Sequence, residues 1–431
     1  MKCSVSKTAR LLIALMLIAS LLTACGKSGN QSTPAASEPT ATEVPATPTA
    51  TEVPSTPTPT PNPLDSMTLK EKYKDDFMIG MAMPVSVINN AAFKDVIVGN
   101  FNSLTFENET KPDAVLRKEE CQKGLPDTYT EPVINLSVIA RSMQFAKENG
   151  IKVRFHTLIW HSQTPSWFFT EDYTPNGTRV SRDVMLKRME SYIRQVMTYM
   201  EENYPGQIYC YDVVNEAIDP PHGDAAGMRK DSLWYEVIGP DFMNYAFEYA
   251  RKYAPEGVDL YYNDYNCYSK SQQIIECLRP IKEAGNIDGI GMQSHISTTD
   301  NVDRQIRGTA AKFTAEGYKV QLTELDIGQA TSGKNGEEVQ AMKYAVLFKK
   351  MQQAKQNGTV DIDCITIWGL YDGISWRREE TPLLYRFDGS KLVKKRAWYG
   401  AMQDPEIELL YVPLTAAIAA DLKNFCLVQV I

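Results

Sequence analysis

Between residues 65 and 405 the sequence alternates eight short apolar, strand-like runs with longer amphipathic segments. A strand, a helix and the next strand in that order build a parallel sheet, because the helix returns the chain to the same edge. Eight such units over roughly 340 residues suit one closed (β/α)8 TIM barrel better than two separate domains. The predicted fold class is therefore α/β, with strands at 77–83, 101–106, 153–160, 208–214, 259–263, 289–293, 320–324 and 364–369.

The segments between these runs predict the helices of the barrel's outer layer. Their apolar residues recur with the helical period, so that one face of each segment can pack on the sheet. Helices are expected at 137–149, 182–203, 241–253, 272–284, 299–316 and 337–356.

Residues 1–25 have the pattern of an export signal. Three cations precede an apolar run at 11–22, and small residues follow it. The run is too short for a comfortable transmembrane helix. Leu22-Thr-Ala-Cys25 resembles a bacterial lipoprotein signal, which implies a lipid on Cys25 as the mature N-terminus. Ordinary secretory cleavage that leaves a free cysteine is the alternative, and both interpretations predict an exported protein.

Residues 26–64 are dominated by Thr, Pro, Ala, Ser and Glu, and Ala-Thr-Glu-Val-Pro occurs at 41–45 and again at 50–54. Such a segment cannot bury enough apolar surface to fold, so we expect an extended tether. The tail at 406–431 ends in an apolar stretch whose Asp421 and Lys423 argue against a membrane span. No function is predicted for this tail.

The charge and cysteine content exclude several kinds of partner. A net charge of −8 argues against nucleic acid. None of the eight cysteines forms a C-x-x-C pair, so a structural zinc site is not expected. Cys267 and Cys277 are the only close pair, and a disulfide between them is left open. No H-E-x-x-H, P-loop, strand-linked G-x-G-x-x-G or G-x-S-x-G motif occurs. We expect a monomer with no cofactor and no required metal.

Polar residues end the predicted strands, at the face where a barrel builds its active site. The fourth strand runs into Asn215-Glu216, and the seventh runs into Glu324. Two carboxylates that face one bond indicate a glycosidase. Three of the four histidines and four of the six tryptophans lie in or next to these strand ends. Aromatic faces stack on sugar rings, while imidazoles, amides and carboxylates bond the hydroxyls.

Seven sequence blocks occur in the order typical of glycoside hydrolase family 10, the endo-β-1,4-xylanases. They are FNSLTFENETK (101–111), HTLIWHSQTPSW (156–167), DVVNE (212–216), YNDYN (262–266), QSH (293–295), TELD (323–326) and WG (368–369). The chain resembles that family over roughly residues 65–405.

The resemblance implies hydrolysis of xylan with retention of configuration, with Glu216 as acid/base and Glu324 as nucleophile. It implies that Asn215 bonds the sugar 2-hydroxyl, and that Asp326 supports the imidazole of His295 beside the nucleophile. Hydrogen bonds should keep one carboxyl ionised while its neighbour raises the pKa of the other. The further substrate-binding residues implied are Glu107, Asn108, Lys111, His156, Trp160, Gln163, Tyr265, Gln293, His295, Trp368 and Trp376.

Simpler structural interpretations remain for these residues. Glu216 could cap the following helix, Glu324 could pair with a barrel cation, and the tryptophans could fill the core. For His161, a core position and a substrate contact are equally compatible with the sequence. The chain also departs from the family pattern at Tyr211, Pro112 and Phe155, where Trp, Trp and Gly are usual, so the preferred decoration of xylan stays open.

Three other functions compete with this interpretation. A related retaining β-1,4-glucanase, acting on cellulose or mixed-linkage glucan, would use the same two glutamates. A sugar-binding lipoprotein of a transporter would share the anchor and the aromatic residues, but it would not need the glutamate pair. An inactive barrel that only binds glycan would not need that pair either.

Overall fold

The structure, a computed structural model, describes residues 62–331 and 334–407 of the 431-residue chain. The predicted export signal with Cys25, the tether up to residue 61 and the tail from residue 408 lie outside the described residues. In the described part, no helix is both long and apolar enough to cross a membrane.

Eight parallel strands form a closed barrel. Each strand pairs with the next in the sequence, and the last pairs with the first through Cys364 and Met78, so the sheet has no free edge. The predicted (β/α)8 barrel is confirmed. The strands are β1 (Met78–Met83), β2 (Ser103–Phe106), β3 (Lys152–Trp160), β4 (Ile208–Asn215), β5 (Asp259–Asp264), β6 (Gly289–Met292), β7 (Lys319–Gly328) and β8 (Ile362–Ile367).

Strand β7 differs most from its predicted range, because it continues to Gly328. Its pairing with β8 shifts between Leu322 and Leu325, so β7 carries an irregularity at this point. A bulge of this kind re-aims the side chains beside it. Glu324 therefore lies inside the strand, next to the irregularity, rather than at the strand's end.

Helices surround the barrel and bury their apolar faces against it. Their bounds are α1 (Leu69–Lys72), α2 (Ala91–Asn100), α3 (Pro112–Val115), α4 (Lys118–Lys123), α5 (Ala140–Glu148), α6 (Arg182–Asn203), α7 (Leu233–Ile238), α8 (Phe242–Tyr253), α9 (Cys267–Glu283), α10 (Gly308–Ala315), α11 (Lys334–Gln356) and α12 (Arg396–Ala401). Helix α6 has the predicted range, and the Ser181 side chain caps it by accepting from the Val184 N–H.

Two predicted helices are only partly right. Helix α9 begins at Cys267 rather than residue 272, and a kink at Lys270 (φ −132°) separates its first turn from the rest. The expected helix at 299–316 consists of a π-helical turn, Asp303–Arg307, followed by α10.

Two small strand pairings were not predicted. A short strand, His295–Ser297, pairs with the far end of β7, and an antiparallel hairpin joins Tyr385–Phe387 to Leu392–Lys394. The first of these sets His295 opposite Asp326.

Cysteines in the described residues are free thiols, among them Cys267 and Cys277, so this pair forms no disulfide. Cys210 and Cys364 are buried in β4 and β8, where they pack as small apolar residues. The barrel core is thus held by packing and hydrogen bonds rather than by cross-links.

Candidate active site

A cleft of about 570 Å³ opens at the carboxyl ends of the strands. This is the face at which barrels of this type bind their ligands. Most of the predicted site residues line it; Gln163 and Asp326 lie just behind its wall. The lining consists of Glu107, Asn108, Lys111, His156, Trp160, Asn215, Glu216, Tyr265, Asn266, Gln293, His295, Glu324, Trp368, Trp376 and Arg377.

Glu216 directly follows β4 and is held in the left-handed backbone region, with φ +56°. Its N–H donates to the Asn263 carbonyl at 2.9 Å. Its carboxylate accepts from Trp160 Nε1 at 3.0 Å and from Gln293 Nε2 at 2.7 Å. Both side-chain donors are neutral groups.

Glu324 has a different environment, because it is only 5 % exposed and faces a charged donor. Asn263 Nδ2 donates to Oε1 at 2.8 Å, and His295 Nε2 lies 3.1 Å from Oε2. Burial alone would raise the pKa of Glu324. The hydrogen bond from His295 and the electrostatic influence of His156, His295 and Arg154 outweigh burial and lower this pKa to about 2. Glu324 is therefore ionised at any ordinary pH.

His295 is held between two carboxylates. Its Nδ1 lies 2.9 Å from Asp326 Oδ2, while its Nε2 faces Glu324. Burial would lower the pKa of His295, but the negative charges and hydrogen bonds of Asp326 and Glu324 raise it to about 10. The imidazole is therefore a cation at neutral pH, with both N–H groups donating.

Asp326 is fully buried behind this imidazole and takes two further donors. Trp376 Nε1 donates at 3.0 Å to the same oxygen as His295, and Arg377 Nη1 donates to the other oxygen at 2.5 Å. A buried carboxylate is stable only with such compensation. Asp326 thus joins the imidazole, an indole and a guanidinium at one point.

Side-chain amides link the two glutamates. Asn263 Nδ2 lies 2.8 Å from Glu324 Oε1 and 2.9 Å from Asn215 Oδ1. Gln293 Nε2 lies 3.5 Å from Asn215 Oδ1 and 2.7 Å from Glu216 Oε1. One continuous set of amides from β4, β5 and the segment after β6 therefore holds both carboxylates against the same cleft.

Lys111 is a further charged residue of the cleft. Its Nζ donates to Asn108 Oδ1 at 3.1 Å and to Gln163 Oε1 at 2.9 Å, and it lies 4.8 Å from the Trp160 ring centre. Burial lowers the pKa of Lys111 and raises that of Glu107. Gln163 therefore bonds two residues of the cleft, Lys111 and, at 3.3 Å, the Asn108 Oδ1.

Aromatic rings form the opposite wall. His156 meets Trp368 edge-on at 5.6 Å and 82°, and Trp376 lies 5.0 Å from His295 with 61 % of its surface exposed. A largely exposed indole in the lining of a polar cleft offers an apolar face to a bound ligand. Trp368, by contrast, is 7 % exposed and forms part of the floor.

A buried ion pair lies beneath the cleft. Arg154 is fully buried, and its guanidinium donates to Asp212 Oδ2 at 2.6 Å and to the Thr323 carbonyl at 2.8 Å. His156 Nδ1 lies 2.8 Å from the same Asp212 oxygen. These contacts fix the His156 ring and bring a positive charge to the base of Glu324.

The sequence did not single out several residues of this site. Asn263 lies in a recognised block without an assigned role, and no pattern in the sequence indicates Arg377, which lines the cleft. Arg154 offered a signal, since an arginine inside the apolar run of β3 needs a buried partner. His161 is not part of the cleft lining; its Nδ1 is buried, and burial lowers its pKa.

No group of three or more His, Cys, Asp or Glu side chains within residues 62–331 and 334–407 is arranged to hold a metal ion. The donors around the two glutamates are amides, indoles and imidazoles, which hydrogen-bond to carboxylates and to hydroxyls.

A closed (β/α)8 barrel that opens two glutamates, several amides and three tryptophans onto one cleft is the architecture of a barrel glycoside hydrolase. The sequence profile of Glycosyl hydrolase family 10 matches residues 68–404. The chain belongs to this family, and the resemblance drawn from the seven sequence blocks is confirmed.

Relatives of this chain include named xylanases. The bifunctional endo-1,4-beta-xylanase XylA of Ruminococcus flavefaciens is 39% identical over 326 residues, which are 74% of this chain and 32% of that protein. Endo-1,4-beta-xylanase B of Butyrivibrio fibrisolvens is 36% identical over 346 residues, which are 78% of this chain and 53% of that protein. The chain thus spans about a third to a half of the length of these relatives.

Solved structures of similar chains contain bound xylo-oligosaccharides. The CBM22-1–GH10 modules of endo-1,4-beta-D-xylanase 10B from Clostridium thermocellum, complexed with xylohexaose, are 34% identical with a TM-score of 0.71, covering 78% of this chain and 67% of that chain. A variant of the intracellular xylanase of Thermoanaerobacterium saccharolyticum, complexed with xylotriose, is 31% identical with a TM-score of 0.67, covering 77% of this chain and 97% of that chain.

Proposed function

We propose that the protein is an endo-β-1,4-xylanase that cleaves xylan with retention, with Glu324 as nucleophile and Glu216 as acid/base. The observation that carries this proposal is the contrast between the two carboxylates of one cleft. Glu324 is ionised beside an imidazolium, whereas Glu216 is bonded by the neutral indole of Trp160 and amide of Gln293. A permanently ionised carboxylate suits attack, and a carboxyl without a cationic donor suits proton transfer.

The first step forms a covalent sugar ester. A Glu324 oxygen attacks the anomeric carbon while the bond from that carbon to the departing oxygen breaks. Glu216 gives its proton to that oxygen, so the shortened chain leaves as a neutral alcohol. The hydrogen bond from His295 keeps the attacking carboxylate oriented before the step.

The second step frees the sugar. Glu216, now a carboxylate, takes a proton from a water molecule, whose oxygen attacks the anomeric carbon as the ester bond to Glu324 breaks. Two inversions at one carbon return the starting configuration. Such double displacement uses carboxyls about 5–5.5 Å apart.

The remaining residues of the cleft are assigned to sugar hydroxyls and faces. We assign Asn215, beside Asn263, to the 2-hydroxyl next to the anomeric carbon. Lys111 and Asn108 supply a donor and an acceptor for the sugar on one side of the bond. Trp376 and Trp368 give it apolar surface.

Xylan is favoured over glucan because the relatives named above are endo-1,4-beta-xylanases. The test is reducing-sugar release by the purified chain from xylan, cellulose and mixed-linkage β-glucan at equal mass. We expect xylan to be cleaved fastest, with the β-anomer appearing first by ¹H NMR. Faster cleavage of either glucan would favour the related glucanase, and no cleavage of any polymer would favour a glycan-binding barrel.

We also propose that the chain is exported and anchored by a lipid on Cys25, on the strength of the Leu22-Thr-Ala-Cys25 sequence. Labelled palmitate should be incorporated into the expressed chain and not into Cys25→Ser. Equal labelling of both forms would rule out a lipid on this residue.

The pairing of Glu324 with His295 predicts a displaced pH profile in His295→Asn. The substitution removes the hydrogen bond that does most to lower the pKa of Glu324, together with the charge of the imidazole, so this pKa rises. Protonation inactivates a nucleophile, so the acid limb of kcat/KM should move to higher pH, towards the ordinary range of a carboxylate. The measurement is kcat/KM on an aryl xylobioside across the pH range in which both proteins remain folded.

His222→Asn is the matched control, because this histidine is 76% exposed and pairs with Asp219 outside the cleft lining. Its profile should coincide with that of the unmodified protein. An unchanged acid limb in His295→Asn would show that His295 does not set the ionisation of Glu324.

A further inference from the structure

We propose that Arg229 is a positioning residue that fixes the backbone of Glu216 and thereby aims its carboxyl. The inference rests on the proposed function, in which Glu216 is the acid/base. Arg229 lies in the segment after β4 and is only 8% exposed.

Arg229 hydrogen-bonds to the residues directly after β4 through both its backbone and its side chain. Its N–H donates to the Ala217 carbonyl at 2.8 Å, and its Nε donates to the Glu216 carbonyl at 3.1 Å. Its Nη2 donates to Tyr265 Oη at 2.9 Å, and its Nη1 lies 3.2 Å from Asp219 Oδ2. One buried guanidinium therefore connects the peptide of Glu216 to Tyr265, a neighbouring side chain of the cleft.

The backbone of Glu216 needs these stabilising hydrogen bonds because it is in the left-handed region, with φ +56°. L-residues other than glycine reach this region only where surrounding contacts enforce it. If the peptide relaxed, the carboxyl would swing away from Trp160 and Gln293, its two donors. A change of one backbone angle at this residue would thus move the proton donor.

Ile218, two residues after Glu216, is held by a separate set of contacts. The Ile218 N–H donates to Tyr262 Oη at 3.1 Å, and its carbonyl accepts from the buried Lys270 Nζ at 2.6 Å. The side chains of Tyr262 and Lys270 both bond Asp264. These contacts keep the loop in place when Arg229 is shortened, so removal of Arg229 should disturb Glu216 rather than unfold the loop.

The charge of Arg229 is balanced locally. Asp219 lies 3.2 Å from its Nη1, and Asp231 lies 3.6 Å from the same atom. With two carboxylates beside it, the guanidinium presents little net field to Glu216. Its contribution is therefore geometric, through the bond to the Glu216 carbonyl.

The test separates substrates that need a proton donor from those that do not. Phenyl xylobioside has a poor leaving group and requires protonation, whereas 2,4-dinitrophenyl xylobioside does not. In Arg229→Met, kcat/KM for the phenyl substrate should fall about 100-fold, the usual loss for a catalytic group displaced by about 1 Å. The value for the dinitrophenyl substrate should change by less than about threefold, since the formation of the ester does not use Glu216 there.

Two further variants keep the result interpretable. Arg229→Lys retains one donor in place of the guanidinium fork, so it should show the same selective loss to a smaller extent. Arg251→Met is the matched control, because Arg251 on α8 also forms an ion pair, but its guanidinium bonds Asp288, at 2.5 Å, rather than Glu216 or Tyr265. Arg251→Met should leave the ratio of the two kcat/KM values, phenyl to dinitrophenyl substrate, unchanged.

An equal loss on both substrates in Arg229→Met or Arg229→Lys would overturn the proposal, because it would indicate a general effect on folding or on Glu324. If Arg229→Met does not fold, the two kcat/KM values of Arg229→Lys alone test the proposal. Glu216→Ala serves as the reference: if it fails to discriminate between the two substrates, the proposed role of Glu216 is wrong whatever Arg229 does.

Discussion

Glu324→Ala is expected to abolish xylan hydrolysis, lowering kcat by about five orders of magnitude. The sugar ester cannot form without this carboxylate, and loss of a covalent nucleophile commonly costs this much. The effect should appear in kcat rather than in KM, because Glu324 acts on the anomeric carbon and the other cleft residues bind the chain. The measurement is reducing-sugar release from xylan at saturating substrate.

A small external anion should restore part of the activity of Glu324→Ala. Azide fits the space left by the carboxylate and attacks the anomeric carbon from the same side, so a single displacement yields the inverted, α-configured xylosyl azide. Glu324→Gln is the control, because its amide fills that space and should not be rescued. Near-native turnover of Glu324→Ala, or a product of retained configuration, would show that another group is the nucleophile.

A trapped intermediate identifies the nucleophile independently. A 2-fluoro-xylobioside with a good leaving group should modify the protein faster than the ester is released, because fluorine slows the second step. Peptide mass spectrometry should place the sugar on Glu324.

Glu216→Ala should affect substrates according to their leaving groups. Hydrolysis of xylan should fall by about 10³- to 10⁴-fold, the upper range for loss of a general acid. Ester formation from 2,4-dinitrophenyl xylobioside should proceed almost unchanged, since that leaving group departs without a proton. The second step lacks its base, so stopped-flow measurements should show a burst of dinitrophenol followed by slow turnover.

Azide distinguishes this variant from Glu324→Ala. In Glu216→Ala it attacks the ester on Glu324, so turnover should rise and the product should be the β-configured azide. Glu216→Gln is the control, because it keeps a polar group near Trp160 and Gln293 but can neither give nor take the proton. Equal losses on xylan and on the dinitrophenyl substrate would exclude Glu216 as the acid/base.

The barrel could be predicted from the sequence because its strands are short apolar runs with clear ends. Strand β4 ends at Asn215, where the apolar run meets an amide and a carboxylate. Helix α6 also kept its predicted bounds, because Ser181 gives it a local start signal. These bounds could be predicted because residues close in the sequence determine where the strand ends and where the helix begins.

The rest of the site depends on contacts between residues far apart in the sequence. Arg154 on β3 reaches the Thr323 carbonyl on β7, and Asn263 on β5 reaches Glu324 on β7, with β6 between those two strands. No run of sequence near Arg229 indicates that its guanidinium turns back to Glu216. The irregularity of β7 leaves no periodic signal either, which is why Glu324 was predicted at a strand end.

If Trp376 stacks on a sugar, as proposed above, its hydrogen bond to Asp326 would connect the position of that sugar to the rate at which it reacts. Asp326 is the same carboxylate that orients the imidazolium donating to Glu324. A substituent that pushes the indole aside would loosen this connection and leave the attacking oxygen poorly aimed. A branched polysaccharide that displaces the indole would then lose more in kcat than in binding affinity. The protein would thus discriminate among branched polymers after they have bound.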